Sequence, residues 1–216
     1  HTTPHKMLTG TPFGFLDEKR YADITGYSCP EESEHDLFTV GHTSTSVSLA
    51  LGLAKARDLK GTDENIIAII GDGSLSGGEA LEGLDMAAEL DGNFIIVVND
   101  NDMSIAENHG GMYSNLKLLR DTGGKAECNL FKSMGLDYVF VKDGNDIQSL
   151  INAFESVKDT KKPVVVHIVT QKGKGFKLAE EHKEDWHWCM PFDIETGKPK
   201  FTSDGEDYGT LTADYL

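Results

Sequence analysis

One stretch, residues 66–102, constrains the fold more than any other part of the chain. It reads IIAIIGDGSLSGGEALEGLDMAAELDGNFIIVVNDND: an apolar run, a glycine-rich turn, a helical pattern and a second apolar run. Apolar runs without polar alternation, separated by a helix, are typical of parallel strands that are covered on both faces. The stretch therefore predicts two parallel strands joined by a right-handed crossover helix.

The same alternation continues along the chain and predicts an α/β fold, a parallel sheet with helices on both faces. Buried strands are predicted at 65–70, 93–99, 138–141 and 162–170. Helices are predicted at 44–61 with a Thr/Ser N-cap, at 77–90, at 145–157 and, more weakly, at 114–134. In the third of these helices, one apolar face is expected, made of Ile147, Leu150, Ile151 and Phe154.

The remaining segments lack clear periodicity. Residues 1–41 are interpreted as irregular surface structure, and the segment after Gly173 as a loop. The residues from Tyr208 onward look like the start of a new helix. We therefore expect one domain over residues 1–200, followed over 201–216 by a linker and the beginning of a second domain.

Composition limits the partners and the setting. The formal net charge of −16 argues against nucleic acid or an anionic membrane as partner. No apolar run is long enough for a membrane span, and the polar first residues do not look like a signal peptide. The three cysteines have neither paired spacing nor a CxxC motif, which argues against a disulfide framework and a zinc site. A reducing cytoplasm is the predicted setting.

Polar clusters follow the two strands of the opening stretch. Asp72 follows the first strand and Asn101 follows the second, 29 positions later. Because ligands of parallel sheets bind outside the carboxyl ends of strands, neighbouring strands would bring the two side chains to one rim. A carboxylate, an amide oxygen and a backbone carbonyl, plausibly that of Met103, are hard donors that suit Mg²⁺. The helix start after Ser74 can hold a phosphate, so the pattern predicts a diphosphate bound through magnesium, although the GDG triplet alone is equally typical of an ordinary turn.

These residues resemble a known motif. GDGSLSGGEA…VVNDNDMSI is similar to the thiamine diphosphate motif of transketolase-like enzymes, and in particular to that of the 1-deoxy-D-xylulose-5-phosphate synthase family. Further similar motifs follow the family's order: PHKMLTG at 4–10, ESEHD at 32–36, GHTSTS at 41–46 and KGKGF at 172–176. His187 lies 11 residues beyond, as the family's loop histidine does, and the matches run from His5 to about Asp193.

The resemblance implies an enzyme, a transferase that uses thiamine diphosphate and Mg²⁺ to condense pyruvate with D-glyceraldehyde 3-phosphate, releasing CO₂. The product of this family feeds isoprenoid and thiamine biosynthesis. The implied metal ligands are Asp72, Asn101 and Met103. The implied cofactor-binding residues are Gly41, His42, Thr43, Gly73, Ser74, Asn101 and Phe176, the last standing where the family has Tyr.

Histidines carry the implied proton transfers, with His187 and His42 as the catalytic candidates because imidazole titrates near neutral pH. Plainer interpretations exist for each. His42 alone reads as a neighbour of a helix cap, and His187, between two tryptophans, as a packing residue of a lid. His167 falls inside a strand and is interpreted as structural, and no role is assigned to His1.

The chain also departs from the family pattern. No segment resembles the pyrimidine-binding domain, which in this family supplies the glutamate that activates the cofactor and the arginines that bind the acceptor phosphate. A pyrimidine-binding domain or subunit is therefore an expected partner, and the resemblance also implies a homodimer. The chain alone is expected to bind cofactor weakly and turn nothing over. The region 108–130 is also shorter than in many members.

Three other functions remain to be weighed. The chain fits the N-terminal half of a split transketolase, or a non-catalytic module that keeps the motif for assembly only. A nicotinamide-binding Rossmann domain fails, because no GxGxxG opens the first helix and no acidic ribose partner is placed as it requires.

Overall fold

Four parallel strands form the sheet of the computed structural model, which describes residues 2–189, 191–200, 205 and 207–216. The strands are β1 (Ile67–Gly71), β2 (Phe94–Asp100), β3 (Asp137–Val141) and β4 (Pro163–Val169). Their spatial order is β1-β2-β4-β3, so β2 and β4 are central and β1 and β3 form the edges. The predicted neighbours β1 and β2 do pair, and Gly71 lies beside Asn99 at their carboxyl ends.

Helices precede and follow the strands along the chain. The helices before β2 are α1 (Thr2–Leu8), α2 (Phe13–Leu16), α3 (Ser46–Lys60), α4 (Asp72–Leu75) and α5 (Gly78–Ala87), with a 3₁₀ helix at Glu18–Asp23. Those after β2 are α6 (Gly111–Asp121), α7 (Leu130–Ser133), α8 (Ile147–Val157), α9 (Lys177–Glu181) and α10 (Tyr208–Tyr215). None of the helices in the described ranges is long and apolar enough to cross a membrane.

Each face of the sheet has its own hydrophobic core, as expected for helices on both faces. One core joins the sheet to α3, α5, α6 and α7, through residues such as Val47, Leu84 and Leu116. The other joins β2, β3 and β4 to α8 through Ala153 and Val157. The predicted α/β class is confirmed.

β1 is not the buried strand that its sequence predicts. Ile67 and Ile69 are 50% and 61% exposed, whereas Ala68 and Ile70 on the opposite face are buried. The reason is position: β1 is an edge strand, and α8, which covers this face, packs against β3 at the other edge.

The first 41 residues are more structured than predicted. They contain α1, α2 and the 3₁₀ helix, and Lys6 is only 1% exposed. Its ammonium donates to the carbonyl of Tyr27 at 2.7 Å and to Glu32 at 2.5 Å, while His5 lies 2.5 Å from buried Asp36. Ion pairs between distant positions hold this segment, and such pairs leave no periodic signal in a sequence.

Smaller differences concern helix ends and faces. The helical region predicted at 114–134 splits into α6 and α7, because Gly123 and Gly124 adopt left-handed φ values of 60° and 77°. On α8, Ile147 and Ile151 are exposed, and Ala153 and Val157 are the buried positions. The segment after Gly173, predicted as a loop, contains α9. The N-cap residue of α3 is Thr45, as the Thr/Ser prediction has it, but its side chain makes no capping hydrogen bond.

Candidate metal and diphosphate site

Asp72 begins the turn that leaves β1. Only 2% of the residue is exposed, and it opens the short helix α4. Burial and, secondarily, the nearby charge of Asp100 raise the pKa of the Asp72 carboxyl group to about 6. A buried carboxylate that feels the charge of another carboxylate is an unfavourable arrangement that a bound cation would relieve.

The loop after β2, residues 101–108, folds back over this turn. The side-chain amide of Asn108 donates to Asp72 Oδ2 at 2.9 Å. Met103 pairs with Glu107 in a single antiparallel bridge, and its N–H donates to Asn101 Oδ1 at 3.2 Å. The two polar clusters of the opening stretch thus form one structural unit.

Loop 101–108 lies so close to the turn that only glycine fits at position 73. A Cβ atom on Gly73 would lie 2.5 Å from Cβ of Ser104 and 3.0 Å from its Cα. The hydroxyl of Tyr113, from α6, donates to Ser76 at 2.8 Å and closes the other side of the turn. Only a residue without a side chain fits at Gly73 while the loop keeps this position.

A largely buried network lies beneath the loop, centred on Asp100, which is fully buried together with His167. Arg120 donates through one nitrogen to both carboxylate oxygens of Asp100, at 2.8 and 2.7 Å, and His167 Nε2 lies 2.8 Å from Oδ2. The other ring nitrogen of His167 lies 2.7 Å from the hydroxyl of Tyr138. Burial alone would raise the pKa of Asp100, but the hydrogen bonds from His167 and Arg120 outweigh it and hold that pKa below its ordinary value.

The turn before α3 reaches the same rim. The hydroxyl of Ser44 donates to the carbonyl of Ser74 at 2.7 Å, and Ser44 itself has a left-handed φ of 71°. Gly41, His42 and Thr43 directly precede it and are exposed, and His42 Nδ1 lies 2.6 Å from the carbonyl oxygen of Thr43. Their roles at a phosphate stay predictions.

The segment after β4 covers the loop from the outside. The ammonium of Lys172 donates to the carbonyls of Ser104, at 2.7 Å, and Ile105, at 3.2 Å. His187 hydrogen-bonds with the backbone of Ser104, and partial burial, followed by the charge of Lys172, lowers the pKa of its imidazole. An open cleft of about 580 Å³ separates residues 103–109 from residues 181–185.

Phe176 belongs to an aromatic cluster in this covering segment. Its ring centroid lies 4.9 Å from that of Trp186 and 5.7 Å from that of Phe192. The ring is partly buried. The contact of Phe176 with a cofactor therefore stays a prediction, and its observed contacts hold the segment that carries His187.

The chemistry of the predicted donors suits a hard cation. Asp72 offers a carboxylate, Asn101 an amide oxygen and Met103 a backbone carbonyl, the donor types that Mg²⁺ takes together with phosphate oxygens. Within the described ranges, no cluster of three or more His, Cys, Asp or Glu side chains is positioned to hold a metal ion. The predicted set contains a single carboxylate and relies on ligand oxygens for the rest.

Sequence reasoning missed the residues that support this site. Asn108, Arg120 and Lys172 reach it from positions 36, 20 and 68 residues away from their partners. Asp100 stands inside the NDND cluster, and a carboxylate as the last residue of a buried strand was the one available signal. His1 lies outside the described residues.

Comparisons with known proteins point to one family. A family model described as 1-deoxy-D-xylulose-5-phosphate synthase matches residues 1–127 and 121–170. Curated proteins of that name are similar throughout: the one from Natranaerobius thermophilus is 36% identical over 249 residues, covering 98% of this chain and 40% of that protein. The one from Listeria monocytogenes is 41% identical over 200 residues, covering 89% of this chain and 33% of that protein.

A solved structure supports the fold. A transketolase variant from Pichia stipitis aligns with a TM-score of 0.52 and 24% identity, over 67% of this chain and 22% of that one. The chain spans about two fifths of the length of the curated relatives that it matches. Because the family model matches most of the length of this chain, the chain belongs to the 1-deoxy-D-xylulose-5-phosphate synthase family.

Proposed function

We propose that this chain supplies the magnesium–diphosphate half of a thiamine diphosphate site, in an enzyme that condenses pyruvate with D-glyceraldehyde 3-phosphate and releases CO₂. The observation that carries the proposal is the packing of loop 101–108 on the Asp72–Gly73 turn. Through that packing the motif's two halves lie together, and the first half carries a buried carboxylate, that of Asp72. Burying the Asp72 carboxylate near the charge of Asp100 is unfavourable, and a purely structural role for the turn does not account for that cost.

The chain's own residues would take four roles. Asp72, Asn101 and the carbonyl of Met103 would hold Mg²⁺, and Gly73 and Ser74 would contact the diphosphate through their backbone. Gly41, His42 and Thr43 would line the phosphate end, and Phe176 would offer apolar contact. When bound, the cofactor supplies the carbanion chemistry, so the protein binds, orients and moves protons.

His187 is the proton donor and acceptor that the geometry favours over His42. It lies against Ser104, above the loop that packs on Gly73, and its lowered pKa leaves the imidazole neutral at physiological pH and able to accept a proton. His42 is exposed and held to its own neighbour Thr43. We place His42 at the phosphate end and keep His187 for proton transfer.

The remaining partners belong to the proposal as well. The activating glutamate and the groups that bind the acceptor phosphate would come from a pyrimidine-binding domain or subunit, in a homodimer. Residues 205 and 207–216, which include the exposed helix α10, fit the beginning of such a region. The setting is cytoplasmic.

The experiment that tests the proposal is equilibrium binding of thiamine diphosphate at a series of free Mg²⁺ concentrations. We expect the full-length protein to bind the cofactor only with the metal and Asp72→Ala to lose that binding, since one of the few protein donors is gone. Asp72→Asn keeps the shape and the Asn108 contact but not the charge, so it separates metal binding from packing. If magnesium-dependent binding survived in Asp72→Ala, the metal assignment would be wrong.

A second measurement separates the proposed reaction from its alternatives. The full-length protein should release CO₂ from pyruvate in the presence of D-glyceraldehyde 3-phosphate. Transfer of a ketol group between sugar phosphates without pyruvate would instead identify half of a split transketolase. Cofactor binding without either reaction would indicate a non-catalytic module.

A further inference from the structure

One guanidinium group bridges the two carboxylates that flank Asn101. Arg120, near the end of α6, donates through Nη1 to Asp100 and through Nη2 to Asp102. Asn101, the proposed metal ligand, is the single residue between them. Arg120 therefore fixes the chain on both sides of that ligand from another element.

The bridge holds a backbone conformation that would not persist by itself. Asp102 has a left-handed φ of 66°, one of two such non-glycine residues in the described part of the chain. Its N–H donates to Asp100 Oδ1 at 3.0 Å, so the backbone turns sharply directly after Asn101. Residues in this region of φ and ψ persist when surrounding contacts over-determine them. Here the contacts are those of Arg120 and Asp100.

A second arm fixes Asp100 from the opposite side. His167 is fully buried in the central strand β4, and its Nε2 donates to Asp100, because an ionised carboxylate can only accept. The hydroxyl of Tyr138, from β3, meets the other ring nitrogen at 2.7 Å and so sets the ring's orientation. The chain Tyr138–His167–Asp100–Arg120 thus spans β3, β4, β2 and α6.

A buried ion-pair network of this kind contributes little net stability, because its charged groups lose their hydration. Replacing a buried ion pair by apolar residues of similar volume is often neutral or stabilising, so the pair is weak support for a stability role. Partners that orient a metal ligand, by contrast, change metal affinity or activity about 10- to 100-fold when they are removed. This network surrounds the start of loop 101–108, which carries the proposed metal ligands, and its position therefore favours a role in orienting those ligands.

We propose that Arg120 is a positioning residue for the metal site: by bridging Asp100 and Asp102 it presents the Asn101 amide and the Met103 carbonyl to the cation, with His167 and Tyr138 holding Asp100 in place. This inference rests on the proposed function, since it assumes that Asn101 and Met103 bind the metal.

The test compares Arg120→Lys with wild type in the full-length protein, by calorimetric titration of thiamine diphosphate at a series of free Mg²⁺ concentrations. An ammonium group is a point charge that can neutralise one carboxylate but cannot bridge two in a fixed plane. The Mg²⁺ concentration for half-maximal cofactor binding should rise about 10- to 100-fold. Saturating Mg²⁺ should restore cofactor affinity, which a folding defect would not allow.

Two further variants keep the test falsifiable. Tyr138→Phe removes one hydroxyl and retains the ring, so it should fold even if Arg120→Lys does not, and it should raise the Mg²⁺ requirement by a smaller factor. Lys117→Met removes a cation from the exposed side of α6, where Lys117 pairs with Asp121, and should leave the requirement unchanged.

The outcomes separate this inference from the proposed function. A wild-type Mg²⁺ requirement in both Arg120→Lys and Tyr138→Phe, alongside lost binding in Asp72→Asn, would overturn the positioning role alone. Cofactor binding by wild type that is indifferent to Mg²⁺ would overturn both.

Discussion

At the scale of single residues, the protonation state of the Asp72 carboxyl group decides whether the proposed site can bind a cation. In the metal-free protein its pKa is about 6, against 3.8 for an ordinary Asp, so the folded state binds the proton more tightly than the unfolded state. The free energy of unfolding of the metal-free protein therefore falls as pH rises through this interval. The loss is about 3 kcal/mol at most, and it is complete above the folded pKa.

This shift predicts the pH dependence of metal binding. Mg²⁺ competes with the Asp72 proton, so its affinity should rise between about pH 5 and about pH 7 and then level off. Calorimetry at fixed ionic strength across this range measures it. Asp72→Asn should remove the dependence together with most of the affinity, and an affinity that is constant or falls with rising pH would contradict the assignment.

At the scale of elements, the contact between loop 101–108 and the β1–α4 turn is the arrangement most open to test. In Gly73→Ala the new methyl group would collide with Ser104, so the loop must move away from Asp72. We expect a loss of about 1–3 kcal/mol in stability, as for other overpacked sites, and a fall of about tenfold or more in cofactor affinity at fixed Mg²⁺.

Gly78→Ala is the matched control for this change. Gly78 is the exposed first residue of α5, and nothing lies within 4 Å of its Cβ position. Alanine there should be neutral or slightly stabilising. Thermal unfolding and cofactor titration of the two variants measure the difference, and equal behaviour of both would show that the loop does not lie against Gly73.

The elements also show what the sequence can and cannot predict. β2 and β4 are buried on both faces, as their continuous apolar runs predict. β1 has the same kind of run but is partly exposed, because it lies at an edge of the sheet, and the local sequence pattern does not reveal an edge position. The right-handed crossover and the spacing between Asp72 and Asn101 predicted that the carboxyl ends of β1 and β2 would be neighbours. The Asp100–Arg120–His167–Tyr138 network did not, because each contact joins a different element and depends on the final packing.

At the scale of the whole molecule, the chain carries one part of the proposed site. It spans about two fifths of the length of its curated relatives, and the proposal assigns the groups that activate the cofactor and bind the acceptor phosphate to a pyrimidine-binding domain or subunit. The net charge of −16 also opposes the approach of a diphosphate, a local problem that a bound divalent cation or a helix N-terminus would resolve. In the proposed function, the metal is therefore the centre of what this chain contributes.

The most direct test of that claim is an anomalous difference map from crystals grown with Mn²⁺ and thiamine diphosphate, since Mn²⁺ takes the same oxygen donors as Mg²⁺. The account predicts one strong peak coordinated by Asp72, Asn101 and the carbonyl of Met103, with the diphosphate over Gly73 and Ser74. A cofactor bound without a metal at Asp72, or a peak that Asp72 and Asn101 do not share, would contradict it.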